Sequence, residues 1–223
     1  MEYVKKRFLK YSLGSGLVRA HIDAVHAASP REDKKTGEIA EEIARLTGCG
    51  CIIATVSRTV ADLNRPPNNS NRDAVQEYRS AIREILMHCG ILDEETGKLT
   101  APYLHLSVHG MKDTNYGEHA VEIGTRLGRS CSSEARMWFK KRVSSLAAEL
   151  LPAETLFIMD RKFIGDQSLC FHRCGDGESY KGYDQYYNAF QIEISNTLRE
   201  NYMEGLVKLL SSLVQEFNNT FKS

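Results

Sequence analysis

The sequence predicts a three-layer α/β domain in which a mixed, mostly parallel sheet carries helices on both faces. Short apolar runs alternate along the chain with longer segments of helical periodicity, the pattern of strands joined by crossover helices. One run, Cys51–Val56, is β-branched and apolar on both parities, as a strand covered on both faces must be. Length adds a bound: 223 residues suit one domain spanning 1–223, in which folding buries about 70% of the unfolded surface.

Leu17–Val25 reads as the first strand, broken by Ala27-Ala28-Ser29-Pro30. Thr36–Thr47 carries Ile39, Ala40, Ile43, Ala44 and Leu46 at helical spacing and stops before Gly48, a C′ glycine. After the Cys51–Val56 strand, Asn64–Asn71 with Pro66-Pro67 and four asparagines is a loop. Asp73–Cys89 reads as an amphipathic helix closed by Gly90, Asp93–Gly97 as a turn, and Tyr103–Val108 as a strand. Ser132–Leu151 is expected to be helical, Thr155–Met159 a strand, and Gly165–Tyr183 a polar, Gly-rich surface excursion. Ala189–Ile194 completes the strands, and Leu198–Phe217 is a long final helix.

Charge and hydropathy remove several function classes. Twenty-nine basic and 29 acidic residues give a net charge of +0, without the basic excess or the basic stripe interleaved with aromatics that marks a nucleic-acid binder. No apolar run approaches the ~20 residues of a membrane span. The start, Met1-Glu2-Tyr3-Val4-Lys5-Lys6-Arg7, has no long apolar stretch after it, so a cytoplasmic location without membrane association is expected. The cysteines, Cys49, Cys51, Cys89, Cys131, Cys170 and Cys174, lack a paired zinc-knuckle spacing and read mainly as small buried hydrophobes.

In open α/β sheets, ligands collect beyond the carboxyl ends of the strands. His26 falls at the end of the first strand, Ser57-Arg58 after the second, His109 at the end of the third, and Glu193 near the end of a late one. Glu32 and Asp33 follow His26 within one loop. Two imidazoles and a carboxylate make an open zinc site, because neutral nitrogen donors and one carboxylate bind the cation without cancelling its charge. A histidine taken alone reads first as a satisfied core or surface group, and His21, His88, His105, His119 and His172 are placed there. Arg58 and Arg65 flank Asp62 and Asn64 in a Pro-stiffened loop; a guanidinium fork suits a carboxylate ligand, and a solvated pair with Asp62 as local partner fits equally well. In Phe190-Gln191-Ile192-Glu193-Ile194, alternation puts Gln191 and Glu193 on one face and the apolar residues on the other. A carboxylate in a covered sheet needs a partner or a cleft, and a general base beside an activated water has the latter; an edge strand with a wet face is the bland alternative.

These segments in order resemble the N-formylglutamate amidohydrolase family: Ser57-Arg58…Asp62-Leu63-Asn64-Arg65-Pro66, Leu106-Ser107-Val108-His109-Gly110-Met111, Ile123-Gly124-Thr125-Arg126…Gly128 and Gln191-Ile192-Glu193-Ile194. The phage poly-γ-glutamate hydrolases look like relatives. His26 with Thr36-Gly37-Glu38-Ile39-Ala40 is similar to the family's histidine loop and following helix, and Asp62-Leu63-Asn64-Arg65 is distantly similar to the substrate-carboxylate motif of zinc carboxypeptidases. The resemblance spans His26 to about Arg199.

The resemblance implies a zinc exopeptidase or phosphorylase-hydrolase-like fold and a zinc-dependent hydrolase of carbon–nitrogen bonds. Zinc would be held by His26, Glu32 and His109, with Asp33 replacing Glu32 if the loop register is one residue off. Glu193 would be the general base that later protonates the leaving amine. Asn64 and Arg65, joined by Arg58 and Arg126, would hold a substrate carboxylate. The implied partner is a small acidic amide such as N-formylglutamate, or a γ-glutamyl compound. A γ-glutamyl or C-terminal exopeptidase of the same fold is the alternative within enzymes, and a metal-free binding module is the alternative outside them. The chain departs from the family in reading Ala27-Ala28-Ser29-Pro30 where glycines usually follow the histidine, and Ser107 where an Asp often precedes the third ligand.

Overall fold

A computed structural model describes residues 1–221. Eight strands form one sheet in the order β1-β2-β4-β3-β5-β8-β6-β7. The central four are β4 (Gly50–Ala54), β3 (Ala20–Ala24), β5 (Tyr103–Met111) and β8 (Tyr187–Ser195), all mutually parallel. The edges turn the sheet mixed: β1 (Val4–Lys5) and β2 (Leu9–Ser12) join antiparallel, and β6 (Ala120–Gly124) runs antiparallel to β8 with β7 (Leu156–Met159) parallel to β6. The expected architecture is therefore present, with helices on both faces.

Strand alternation divides the core. The even-numbered residues Ile22, Ala24, Leu104, Leu106, Val108, Phe190, Ile192 and Ile194 pack against α1 (Thr36–Thr47), α3 (Ser133–Leu150) and α6 (Met203–Thr220). Their odd-numbered neighbours face α2 (Arg72–His88), where Tyr103, Tyr187 and Ala189 join Tyr78, Ala81, Ile82 and Ile85. That second face carries a polar row: His21 and Asp23 on β3, His105, Ser107 and His109 on β5, Gln191 and Glu193 on β8. Register aligns it, pairing His21 with His105, Asp23 with Ser107, Ser107 with Gln191, and His109 with Glu193.

Helix α1 occupies the residues its periodicity predicts and ends at Gly48, whose φ of 75° is one that glycine adopts without strain. Four expectations change. Strand β3 is shorter than Leu17–Val25. Strands β1, β2 and β6 were not anticipated, the first two being short and at a sheet edge. The Gly165–Tyr183 segment is not a mere surface excursion, because α4 (Gln167–Cys174) buries Leu169, Cys170, Phe171 and His172 there. Asp166 caps it by accepting from Ser168 N at 3.0 Å. The final helix is interrupted at Tyr202, leaving α5 (Asn196–Asn201) before α6. Cys49, Cys51, Cys131 and Cys170 are buried, as expected of small hydrophobes, whereas Cys174 is exposed.

Phe190 is fully buried and stacks on Phe139 with ring centroids 4.1 Å apart and planes 10° from parallel. Removing it takes away both the stack and the apolar burial between sheet and helices. Phe190→Ala is expected to lower unfolding stability by about 3–5 kcal/mol in urea titration; a loss under about 1 kcal/mol would mean that this face collapses around the cavity.

Candidate metal and substrate site

His26 follows β3 by two residues, and the loop after it folds back on it. Asp33 N donates to His26 O at 2.8 Å, and Thr36 Oγ1 donates to Asp33 O at 2.7 Å at the start of α1. Arg31 and Lys35 bracket Asp33 in left-handed conformations, with φ of 64° and 70°. These turns carry the Asp33 carboxylate inward, where its Oδ2 lies 3.5 Å from His26 Nδ1 and 3.5 Å from His109 Nδ1. Possible ligand atoms of His26, Asp33 and His109 all lie within 4.8 Å of one another, and all three residues are buried.

The expected carboxylate therefore changes by one position: Asp33, not Glu32, stands with the two histidines. Glu32 lines a neighbouring cavity with Lys34, Lys112 and Arg199. The physical reason is the loop's path, since the residue preceding Asp33 projects away from the point where the loop closes on His26.

Asp62 sets the orientation of His26. Its Oδ1 lies 2.8 Å from His26 Nε2 and also accepts from Asn64 N at 2.9 Å. An ionised carboxylate only accepts, so the neutral His26 ring carries its proton on Nε2 and turns a lone pair on Nδ1 toward Asp33. That Nδ1 atom is buried without a hydrogen-bond partner. Burial pushes the Asp33 carboxyl up, but the adjoining His109 and His26 rings and the Arg58 charge outweigh it and hold the group well below the usual carboxylate range. Burial likewise opposes protonation of His26, and the neighbouring Asp33 and Asp62 carboxylates outweigh that too, raising its pKa.

Glu193 sits on β8 beside His109, only 6% exposed, and accepts from Gln191 Nε2 at 2.9 Å. Burial is the main cause of its raised pKa, opposed by His109. Asn64 donates from Nδ2 to Gln191 Oε1 at 3.3 Å, which ties the Asn64-Arg65 loop to the same strand. Arg65 Nη1 is 2.5 Å from Asp166 Oδ2, but the side chain remains 54% exposed. Arg58 is committed elsewhere, pairing with Asp33 and donating to Arg31 O at 2.8 Å.

A cavity of about 300 Å³ opens over these residues, lined by His26, Asp33, Arg58, Asn64, Arg65, His109, Gln191 and Glu193, with residues 162–166 as its far wall. Arg126 is not among the lining residues. It lies in a left-handed turn after β6, and its N–H donates to Ile164 O at 2.5 Å, so its backbone supports the wall instead. Glu122 anchors that wall: its Oε1 accepts from the N–H groups of Arg161, Lys162 and Phe163 at 2.7, 2.6 and 2.9 Å. At Gly124 an added Cβ would lie 2.4 Å from Gly165 N, so the wall approaches β6 as closely as glycine permits.

Neither this wall nor Asp62 as the partner of His26 follows from local sequence pattern alone. Alternation in Ala120–Gly124, with Glu122 between Val121 and Ile123, was a usable signal for the strand that anchors it.

The fold and the clustered residues are those of an α/β protein with a candidate metal site at the carboxyl ends of its central strands. Among solved structures, the chain is similar to N-formylglutamate amidohydrolase from Ralstonia eutropha JMP134, with a TM-score of 0.65 and 16% identity over 96% of this chain and 98% of that one. It is also similar to the gene product Atu2144 from Agrobacterium tumefaciens, with a TM-score of 0.61 and 13% identity over 96% and 94% of the two chains. A bacteriophage poly-γ-glutamate hydrolase matches with a TM-score of 0.54 and 13% identity over 97% and 93%. The resemblance read from the motifs thus holds at the level of the fold. No protein-family model and no curated protein matches the chain by sequence. Among the described residues, no helix is long and apolar enough to cross a membrane.

The one-residue distinction in the loop is directly measurable. If the cluster holds zinc, Asp33→Ala would weaken its binding by at least about tenfold, since it removes a candidate ligand, whereas Glu32→Ala would leave it within about twofold. Chelator-competition titration checks this; the reverse ranking would restore Glu32.

Proposed function

We propose that the chain is a zinc-dependent amidohydrolase that cleaves an amide next to a glutamate-like carboxylate. The observation that carries this reading is the buried, unpartnered His26 Nδ1, which faces a carboxylate shared with a second imidazole. A buried nitrogen without a partner is costly, and a cation answers that deficit. The donor set fits as well: two imidazole nitrogens and one carboxylate are the ligands of an open zinc site. His26, Asp33 and His109 would hold the ion, and Asp62 is the outer carboxylate that orients the first of them. Bound there, a divalent cation would supply Lewis acidity, polarising the scissile carbonyl and making a water easier to deprotonate.

The remaining chemistry belongs to the side chains. Glu193 is buried and adjacent to His109 in register, in position to take a proton from the attacking water at its carboxylate and hand it to the leaving nitrogen. Gln191 fixes the Glu193 carboxylate by donating to it. Asn64 and Arg65 line the same cavity and offer an amide and a guanidinium fork to a substrate carboxylate, with Arg65 exchanging Asp166 for the ligand. Arg58, paired with Asp33, serves the ligand and not the substrate in this arrangement. At about 300 Å³ the cavity suits a small molecule.

Two measurements test the assignment. Glu193→Gln should retain zinc while kcat falls about 10²–10⁴-fold; unchanged turnover with zinc bound would remove Glu193 as the base. Arg65→Met should raise KM for N-formylglutamate far more than for its diamide analogue, because only the former offers a carboxylate. Assaying N-formylglutamate beside a γ-glutamyl peptide and a C-terminal dipeptide separates the deformylase reading from exopeptidase activity. Purified protein with no divalent metal at near-stoichiometric level would favour the metal-free binding module.

A further inference from the structure

Behind the candidate site lies a buried polar cluster that the proposed chemistry does not use. Asp23 and His105 are fully buried on adjacent strands. Three donors converge on Asp23: Tyr78 OH at 2.5 Å and His105 Nε2 at 2.6 Å on Oδ2, and Ser107 Oγ at 2.6 Å on Oδ1. His105 Nδ1 is in turn 3.2 Å from Tyr187 OH, so the ring is held from both sides. His21, Asp23 and His105 also bring possible ligand atoms within 4.8 Å of one another. Three donors thus hold Asp23, and with His105 and Ser107 it forms hydrogen-bonded wiring, while His21 Nε2 is buried without a partner.

The wiring has one exit. Ser107 Oγ lies 3.0 Å from His109 Nε2, on the same strand face two residues away. A hydroxyl has a single proton, and an ionised carboxylate has none to give. With its proton directed at Asp23, Ser107 can only accept from His109. The neutral imidazole then carries its proton on Nε2 and leaves a lone pair on Nδ1, the atom 3.5 Å from Asp33 Oδ2.

We propose that Asp23, acting through Ser107, is a positioning residue that fixes His109 in the Nε2–H tautomer and presents Nδ1 as a ligand. The carboxylate that orients this imidazole comes from the neighbouring strand by way of a serine. His26 is oriented by direct contact with Asp62, so the two imidazoles are set by two different carboxylates. The consequence for metal affinity rests on the zinc reading given above, whereas the tautomer itself does not.

The test uses metal-free, full-length protein with ¹⁵N-labelled histidine at a pH above the ordinary imidazole range, with the His109 signals assigned through His109→Gln. The wild type should show a protonated Nε2 and a bare Nδ1 on His109. Ser107→Ala should lose that preference and weaken zinc binding by about 10–100-fold in chelator competition, and Ser107→Thr should restore both. A wild-type Nδ1–H tautomer would overturn the proposal, as would Ser107→Ala with unchanged imidazole shifts. A second zinc equivalent that disappears in Asp23→Asn would also overturn it, by making the cluster a metal site. Should Ser107→Ala fail to fold, the wild-type spectrum still decides. Absence of zinc binding by the wild type would count against the zinc reading alone, because the spectrum is recorded without metal.

Discussion

The parallel pairing of β3, β5 and β8 is the constraint on which the site depends. Because side chains alternate across a strand, aligning three parallel strands puts every odd-numbered residue of that stretch on one side of the sheet. Even positions are free to be apolar and to pack under α1, α3 and α6. Odd positions form a row that starts as a sealed hydrogen-bonded cluster at His21, Asp23 and His105 and ends in the cavity at His109 and Glu193. A slip of one residue in β8 would bury Glu193 among the apolar helices and turn Ile192 or Ile194 toward the cavity.

Burial gives that row its character. A polar group inside a protein is tolerated when its hydrogen bonds are made, and most of the row meets that condition. Asp23 has its three donors, Glu193 has Gln191, and Glu122 holds three backbone N–H groups of the cavity wall. His21 Nε2, Glu122 Oε2 and His26 Nδ1 are buried without a partner, and of these residues His26 lines the cavity. It is unpartnered in the place where a second imidazole and a carboxylate converge.

Much of the fold was legible in the sequence because its signals are local. The period of Thr36–Thr47 and the glycine after it mark α1, and the two-sided hydrophobicity of Cys51–Val56 marks the covered strand β4. The alternation around Glu193 placed it opposite Phe190 and Ile192, as found. What was not legible depends on distant partners. Choosing Asp33 over Glu32 requires the path of a loop that turns through two left-handed residues and bonds back to His26. Arg126 falls in a motif of the right composition but just past the end of β6, where its backbone braces the wall and the residue stays out of the lining. Helix α4 escaped notice because its apolar residues are consecutive, and they are covered by packing against β8 and α2 that no local period reveals.

Crystallographic anomalous scattering from protein soaked in zinc tests the central claim most directly, with data recorded on both sides of the zinc absorption edge. A single strong peak enclosed by His26 Nδ1, His109 Nδ1 and the Asp33 carboxylate, with Glu32 outside its reach, is the predicted result. No peak there at saturating zinc, or the strongest peak at any other residues, would contradict the account.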